Sequence, residues 1–260
     1  MNSRAKGYGP MPAKSDGEVV LSVERLESGY GEFVAFRDVS LIVKQGELVS
    51  VIGPNGAGKT TLLKSIVGIV KPFNGRILFN GDDITGAKTR DAARAGIAFV
   101  PAGTGIFPDM TVHENVEAGG YVLNDRRVVE ERIESVLDLF PRLRERSRNK
   151  ASTLSGGERQ MLLLGRALIL DPILILMDEP SLGLDPKTQT TLYSSIVNMN
   201  EQGKSILLVE QNVERALRVS ARCYIMDAGK IVHEGTPAQL SNMKDVKEAY
   251  LGVASGPGDR

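Results

Sequence analysis

The 260-residue chain has a single cysteine, two histidines, no formal net charge and no long apolar run. One cysteine, Cys223, excludes a disulfide framework within the chain and suits a reducing compartment. Set in an apolar stretch, it reads as a small buried hydrophobe. Lys plus Arg equals Asp plus Glu at 32 each, so bulk charge gives no argument for nucleic acid as a partner. The strongest apolar run, residues 173–177, is only strand-length, far short of the roughly 18 residues that cross a bilayer. Residues 1–18 are rich in Gly, Pro, Lys and Ser but lack the apolar segment of a secretory signal; they read as a disordered leader. Residues 254–260 read as a flexible tail. The expectation is a soluble, cytoplasmic chain unless a partner carries it to a membrane. Its length suits one large α/β domain or a core with a subdomain.

What is present is concentrated in a few segments. Gly53, Pro54, Asn55, Gly56, Ala57, Gly58, Lys59, Thr60 and Thr61 follow an apolar run, residues 47–52, that reads as a buried strand. This is a phosphate-binding loop. Its three glycines let the backbone curl so that successive N–H groups face a phosphate, where a β-carbon would clash. Lys59 reaches the β- and γ-oxygens of a nucleoside triphosphate as a point charge, and the Thr60 hydroxyl is placed to bind Mg²⁺. Residues 59–67 have helical spacing, with Gly68 as the stop, and the helix N-terminus adds its dipole under the phosphates.

Residues 19–45 read as antiparallel strands, with turn signals at residues 29–31 and 44–46. A second hairpin is marked by Asn80-Gly81 after the strand 75–79. Residues 97–100 read as a buried strand ending at Pro101. From Thr111 to about Lys150 the period is helical: Thr111 and Glu114 form a capping box, and Ile133, Val136, Leu137 and Phe140 make an apolar stripe under a charged face. No internal repeat is evident. Beyond residue 155, helix to Leu170, strand 173–177, helix from Pro186, strand 205–209, helix 213–222 and strand 223–227 alternate. Such alternation predicts a parallel sheet with helices on both faces.

Leu154-Ser-Gly-Gly-Glu-Arg-Gln160 is the second informative segment. Ser155 and Glu158 read as a capping box, which explains both residues structurally. It does not explain Gly156 and Gly157, which weaken a helix start unless something must approach the backbone closely. Bare N–H groups at a helix start suit an anion.

Together with the phosphate loop, this segment resembles the signature of ATP-binding-cassette (ABC) ATPases, over about residues 20–242. The resemblance implies an α/β fold: a P-loop NTPase (RecA-like) core with a parallel sheet, an N-terminal antiparallel β subdomain, and an α-helical subdomain inserted at about 103–160. The ATPase domain would span 19–253. In that family the signature helix points at ATP held by the phosphate loop of another subunit, so Lys59 and Ser155 would bind different nucleotides. Asp178, at the end of a five-residue apolar strand, would hold Mg²⁺ with Thr60. Glu179 would orient or deprotonate the attacking water. Ser181-Leu-Gly-Leu-Asp185 matches the loop that crosses the cassette dimer, and Tyr30 sits where the family places an aromatic against adenine.

Two positions depart from the family pattern. Ala102 stands where a glutamine usually reaches Mg²⁺ or the water, so water or another side chain must complete the metal shell. Gln211 stands where a histidine usually contacts the γ-phosphate; its amide donates a hydrogen bond but cannot become cationic. Losing such a donor outright costs roughly 3–4 kcal/mol, and replacing it less. Neither His113 nor His233 is at that position, and both read as structural or surface residues.

Val209-Glu-Gln-Asn212, with Phe107-Pro-Asp-Met-Thr-Val-His-Glu-Asn115, resembles the LivF-like subgroup that powers branched-chain amino-acid importers. The resemblance implies an ATP-hydrolysing subunit, a second cassette, separate transmembrane permease chains, an upstream solute-binding protein, and a peripheral place on the cytoplasmic face of the membrane. Uptake of urea or other amides, a soluble cassette ATPase, and a weakly hydrolysing ATP-binding regulatory module are the alternatives. The transported solute is not encoded, because the cassette does not touch it.

Overall fold

The computed structural model of the protein describes residues 17–103, 105–244 and 246. The expected leader up to residue 16 and the tail at 254–260 lie outside the described residues. In chain order the first elements are β1 (Val19–Tyr30), β2 (Phe33–Lys44), β3 (Leu48–Ile52), α1 (Lys59–Ile66), β4 (Asn74–Phe79), β5 (Asp82–Asp83), α2 (Thr89–Ala95) and β6 (Ile97–Val100). A helical block follows: α3 (Val112–Gly119), α4 (Arg126–Leu139), α5 (Pro141–Glu145) and α6 (Gly156–Leu168). The chain then alternates through β7 (Leu174–Asp178), α7 (Pro186–Glu201), β8 (Ser205–Glu210), α8 (Val213–Val219), β9 (Arg222–Asp227), β10 (Lys230–Gly235) and α9 (Pro237–Asn242).

The strands form two sheets. One is antiparallel, in the order β2-β1-β4-β5; the other runs β10-β9-β3-β8-β7-β6. From β9 to β6 the second sheet is parallel, and β10 closes its edge antiparallel to β9. The expectation of a parallel sheet therefore holds for five strands. The sixth, β10, alternates half-buried and exposed residues, as an edge strand does. In contrast β3, β7 and β8 are buried at every position.

That continuous burial comes from cover on both faces. Leu174, Leu176, Leu207 and Val209 face a core shared with α1 and the antiparallel sheet. Ile175, Met177, Ile206 and Leu208 join Val116, Val136, Leu137 and Leu164 of the helical block. The helical block thus has no separate core; it packs directly on the sheet. The stripe Ile133, Val136, Leu137 and Phe140 is buried there as its spacing predicts.

Several boundaries shift for local reasons. The helical stretch 111–150 is three helices, parted at Gly120 and at Phe140–Pro141, where proline opens a new helix. Helix α8 stops at Val219 rather than 222, because Ser220 is extended and the Ala221 N–H bonds the Leu48 carbonyl. Helix α6 ends two residues before Leu170, and Asp171 then takes a left-handed conformation. The hairpin at Asn80-Gly81 has both residues at positive φ, +50 and +86, as a type I′ turn requires.

Candidate nucleotide and catalytic site

Strands β3, β7 and β8 are neighbours, so their C-terminal ends bring three distant segments together. This is the rim at which open α/β sheets bind ligands. The phosphate loop leaves β3, Asp178 and Glu179 end β7, and Gln211 follows β8.

The loop's glycines serve different purposes. Gly56 and Gly58 have φ of +82 and +101, where a side chain would be strained. Gly53 is needed for close approach: a β-carbon there would lie 1.9 Å from the Met226 carbonyl oxygen. Pro54, Asn55 and Gly56 are exposed, while Ala57 and Thr61 are buried and anchor the turn against the core. Gly58 caps α1 without a side-chain acceptor, and the first turn carries no acidic residue. The N-terminal N–H groups are therefore open to an anion.

Lys59, 4% exposed, folds back over the loop. Its Nζ donates to the carbonyls of Gly53 at 2.8 Å and Pro54 at 3.0 Å, and lies 3.6 Å from Glu179 Oε1. Thr60 Oγ1 donates to Asp178 Oδ1 at 3.0 Å. Burial pushes the Asp178 carboxyl above its ordinary pKa, and the Thr60 hydrogen bond offsets part of that. A buried carboxylate in this condition is short of positive charge, and a hard hydroxyl-plus-carboxylate oxygen pair suits Mg²⁺. Among the described residues no cluster of three or more His, Cys, Asp or Glu could hold a metal.

Glu179 has φ +42, a left-handed conformation uncommon for a non-glycine residue, and its N–H is held by the Val209 carbonyl at 2.9 Å. Together with Ser181, Gly183, Gln189 and Gln211 it lines a hollow of about 380 Å³. Gln211, exposed just after β8, shares that hollow with Glu179. Ala102 lies on an exposed bend after β6.

Ser155, Gly156 and Gly157 stand at the start of α6. Ser155 and Gly157 line a separate hollow with Phe140, Met161 and Thr188. The Ser155–Glu158 capping box forms as read from sequence. Gly157 has a structural explanation the sequence did not offer: a β-carbon there would meet Thr188 Cγ2 at 2.4 Å. At Gly156 the nearest atom would be 3.6 Å away, so that position keeps an open backbone. Asp185 caps α7, accepting from the N–H groups of Lys187 and Thr188. Hydrogen bonds from the Thr188 side chain, then its backbone, hold the Asp185 carboxyl below its ordinary pKa.

Tyr30, half exposed, ends β1 opposite Phe33. This hairpin adjoins the phosphate loop further along β2, where the Ala35 carbonyl would lie 2.9 Å from a β-carbon on Gly58. Sequence reading quoted Glu210 within Val209-Glu-Gln-Asn212 but gave its buried carboxylate no role of its own. A charge closing the otherwise apolar run 206–209 was the available signal.

The comparisons with known proteins identify the family and the fold. The ABC transporter family matches residues 36–182. The high-affinity branched-chain amino acid transport ATP-binding protein BraG of Pseudomonas aeruginosa is 42% identical, over 90% of this chain and 100% of its own. A probable branched-chain amino acid transport ATP-binding protein, LivF of Archaeoglobus fulgidus, is 37% identical over 90% and 99%. LptB of Haemophilus influenzae, a lipopolysaccharide export system ATP-binding protein, is also 37% identical, over 90% and 97%. Among solved structures, the ADP conformation of an ATP-binding cassette of an ABC transporter superposes with a TM-score of 0.81, at 28% identity, over 90% of this chain and 99% of that one. The chain belongs to the ABC transporter family, as one of its ATP-binding cassettes.

Proposed function

We propose that this cassette is the ATP-hydrolysing subunit of an importer for branched-chain amino acids, working on a separate membrane permease. The observation that carries the hydrolytic part is the convergence of Lys59, Thr60, Asp178 and Glu179 at one sheet rim. Gly53–Thr61 would cradle the phosphates with backbone N–H groups, and Lys59 would exchange its two loop carbonyls for phosphate oxygens. Thr60 and Asp178 would hold Mg²⁺, which when bound supplies positive charge against the phosphate oxygens. Glu179 would accept a proton from, or orient, the attacking water, and Gln211 would donate a hydrogen bond on the same side.

The solute assignment rests on BraG and LivF, whose names state branched-chain amino acid transport. The similarity to LptB is the observation behind a second reading, a cassette for lipopolysaccharide export. Among the described residues no helix is long and apolar enough to cross a membrane. A permease on another chain is therefore part of the proposal, as are a peripheral position on the cytoplasmic face and a solute-binding protein upstream. Ser155 and Gly156 at the start of α6, with Asp185 at the start of α7, would complete the ATP site of a second cassette, identical or related. Tyr30 would stack on adenine. Between α2, β6, α3 and α6 runs a groove of about 450 Å³ flanked by the exposed Ile69 and Tyr121, where a permease segment would touch the sheet and the helical block at once.

Purified wild type and Glu179→Gln, compared for ATP-dependent dimerisation and turnover, test the engine. Dimers trapped by ATP in the variant, with hydrolysis only in the wild type, are expected. A wild type that binds ATP without dimerising or turning over would favour the regulatory module suggested by Ala102 and Gln211. Uptake of labelled leucine by cells with and without the chain tests the solute.

A further inference from the structure

Glu210 closes β8 and is only 3% exposed. A carboxylate at that depth persists only where donors surround it. Three do. Ser181 Oγ donates to Oε1 at 3.0 Å, the Tyr193 hydroxyl donates to the same oxygen, and the Gln211 N–H donates to Oε2 at 3.2 Å. The Tyr193 hydroxyl also lies 3.2 Å from Ser181 Oγ, and Gln189 Nε2 donates to the Ser181 carbonyl at 3.2 Å.

These donors come from three different places. Ser181 belongs to the loop that follows Glu179, Gln211 lines the same hollow as Glu179, and Tyr193 sits on the sixteen-residue helix α7. Burial and the neighbouring Glu210 push the Tyr193 pKa up, so it stays a hydroxyl donor. Glu179 is itself tied to the residue before Glu210, through the Val209 carbonyl. Its left-handed backbone survives only where the surroundings over-determine it.

We propose that Glu210 is a positioning residue for hydrolysis: its carboxylate fastens the 181–185 loop and the Gln211 backbone to α7, and so fixes Glu179 and Gln211 relative to one another. This rests on the reading of the chain as an ATPase. The main phosphate cradle proposed above, Lys59 and the β3–α1 loop, is held by its own hydrogen bonds and not by this network. Disturbing Glu210 therefore lowers turnover and leaves nucleotide affinity in place.

Glu210→Gln keeps the shape but replaces one acceptor oxygen by a donor amide, which cannot serve all three donors. Its kcat should fall about tenfold or more while KM for ATP stays within about twofold. The chain has no tryptophan, so Leu182→Trp on the exposed loop gives a single reporter. Adding Glu210→Gln should raise acrylamide quenching of that tryptophan at temperatures where far-ultraviolet circular dichroism is unchanged. Should Glu210→Gln not fold, Ser181→Ala and Tyr193→Phe carry the test: their effects on kcat should be clearly less than additive, as expected of members of one network. A folded Glu210→Gln variant with kcat near wild type, or with kcat and affinity falling only with the folded fraction, would overturn the proposal. So would additive Ser181 and Tyr193 effects. An inactive wild type would strike the ATPase reading instead, and the tryptophan measurement would still decide whether Glu210 holds the loop.

Discussion

Lys59 and Glu179, 120 residues apart in sequence, are held 3.6 Å apart across the sheet rim, while the same ammonium donates to the carbonyls of Gly53 and Pro54. The lysine is thus hydrogen-bonded by its own loop and stands beside the carboxylate that would handle water. Replacing it should have two separable effects. Lys59→Ala strips two carbonyls of a buried donor and should lower stability by about 1–3 kcal/mol. It should also abolish the rise in melting temperature that ATP gives the wild type, since ligand stabilisation scales with RT ln(1 + [L]/Kd). A variant stabilised by ATP as strongly as the wild type would remove Lys59 from the binding site.

The pair Gly156-Gly157 separates packing from ligand access. Gly157→Ala should destabilise by about 1–3 kcal/mol, the usual cost of overpacking, because the new methyl would meet Thr188 Cγ2 at 2.4 Å. Adding Thr188→Ser removes that methyl, keeps the hydroxyl that bonds Asp185, and should restore most of the loss. Gly156→Ala has room and should fold normally. Loss of ATP-driven dimerisation in folded Gly156→Ala would mark that backbone as a nucleotide contact; unimpaired dimerisation would count against it. Denaturant midpoints and size-exclusion with ATP provide both readouts.

Much of the sheet was legible in the sequence, as was the grouping of Lys59, Thr60, Asp178 and Glu179, because each rests on a local pattern. Largely apolar runs before Gly53 and before Asp178-Glu179 announce central parallel strands with polar groups at their C-terminal ends. Capping boxes at Thr111 and Ser155 mark helix starts to the residue. Elements without such patterns went unread. Helix α2 is a short Ala- and Arg-containing turn of chain with one buried residue, and β10 is a half-exposed edge strand; α9 also went unread, although Thr236 and Gln239 form a capping box at its start. Close approach was also invisible: nothing near Gly157 in sequence predicts Thr188, and nothing near Gly53 predicts Met226. Glu210 was hidden for the same reason, since its partners Ser181 and Tyr193 lie 29 and 17 residues away.

Cys223 gives a direct probe of the core under β3. The residue is fully buried, and burial pushes its thiol up to about 12. Thiolate is the reactive form, so the native protein should resist alkylation by iodoacetamide at pH 8. One thiol per chain should react once guanidinium unfolds it. Rapid labelling of the native chain would show that β9 opens locally, or that the site is not packed as described.

Asp171 lends itself to a pH experiment with a defined sign. It sits in a left-handed turn between α6 and β7, where Lys204 Nζ lies 2.5 Å and Arg132 Nη1 3.5 Å away. The hydrogen bond from Lys204, then the charges of Lys204 and Arg132, lower its pKa. A carboxyl depressed in the folded state adds stability above its unfolded value of about 3.9 and loses it as pH falls through the folded one. Asparagine tolerates the same backbone conformation, so Asp171→Asn isolates the charge. With Asp171 more than half exposed, the variant should be less stable by under about 1 kcal/mol at pH 7. The gap should close as the pH drops below about 4. Added salt should narrow it at pH 7, because exposed charges are screened over about 10 Å at 0.1 M. Urea titrations of both proteins across that range measure the gap directly; a difference independent of pH and salt would mean that Asp171 acts through its turn geometry and not through its ion pairs.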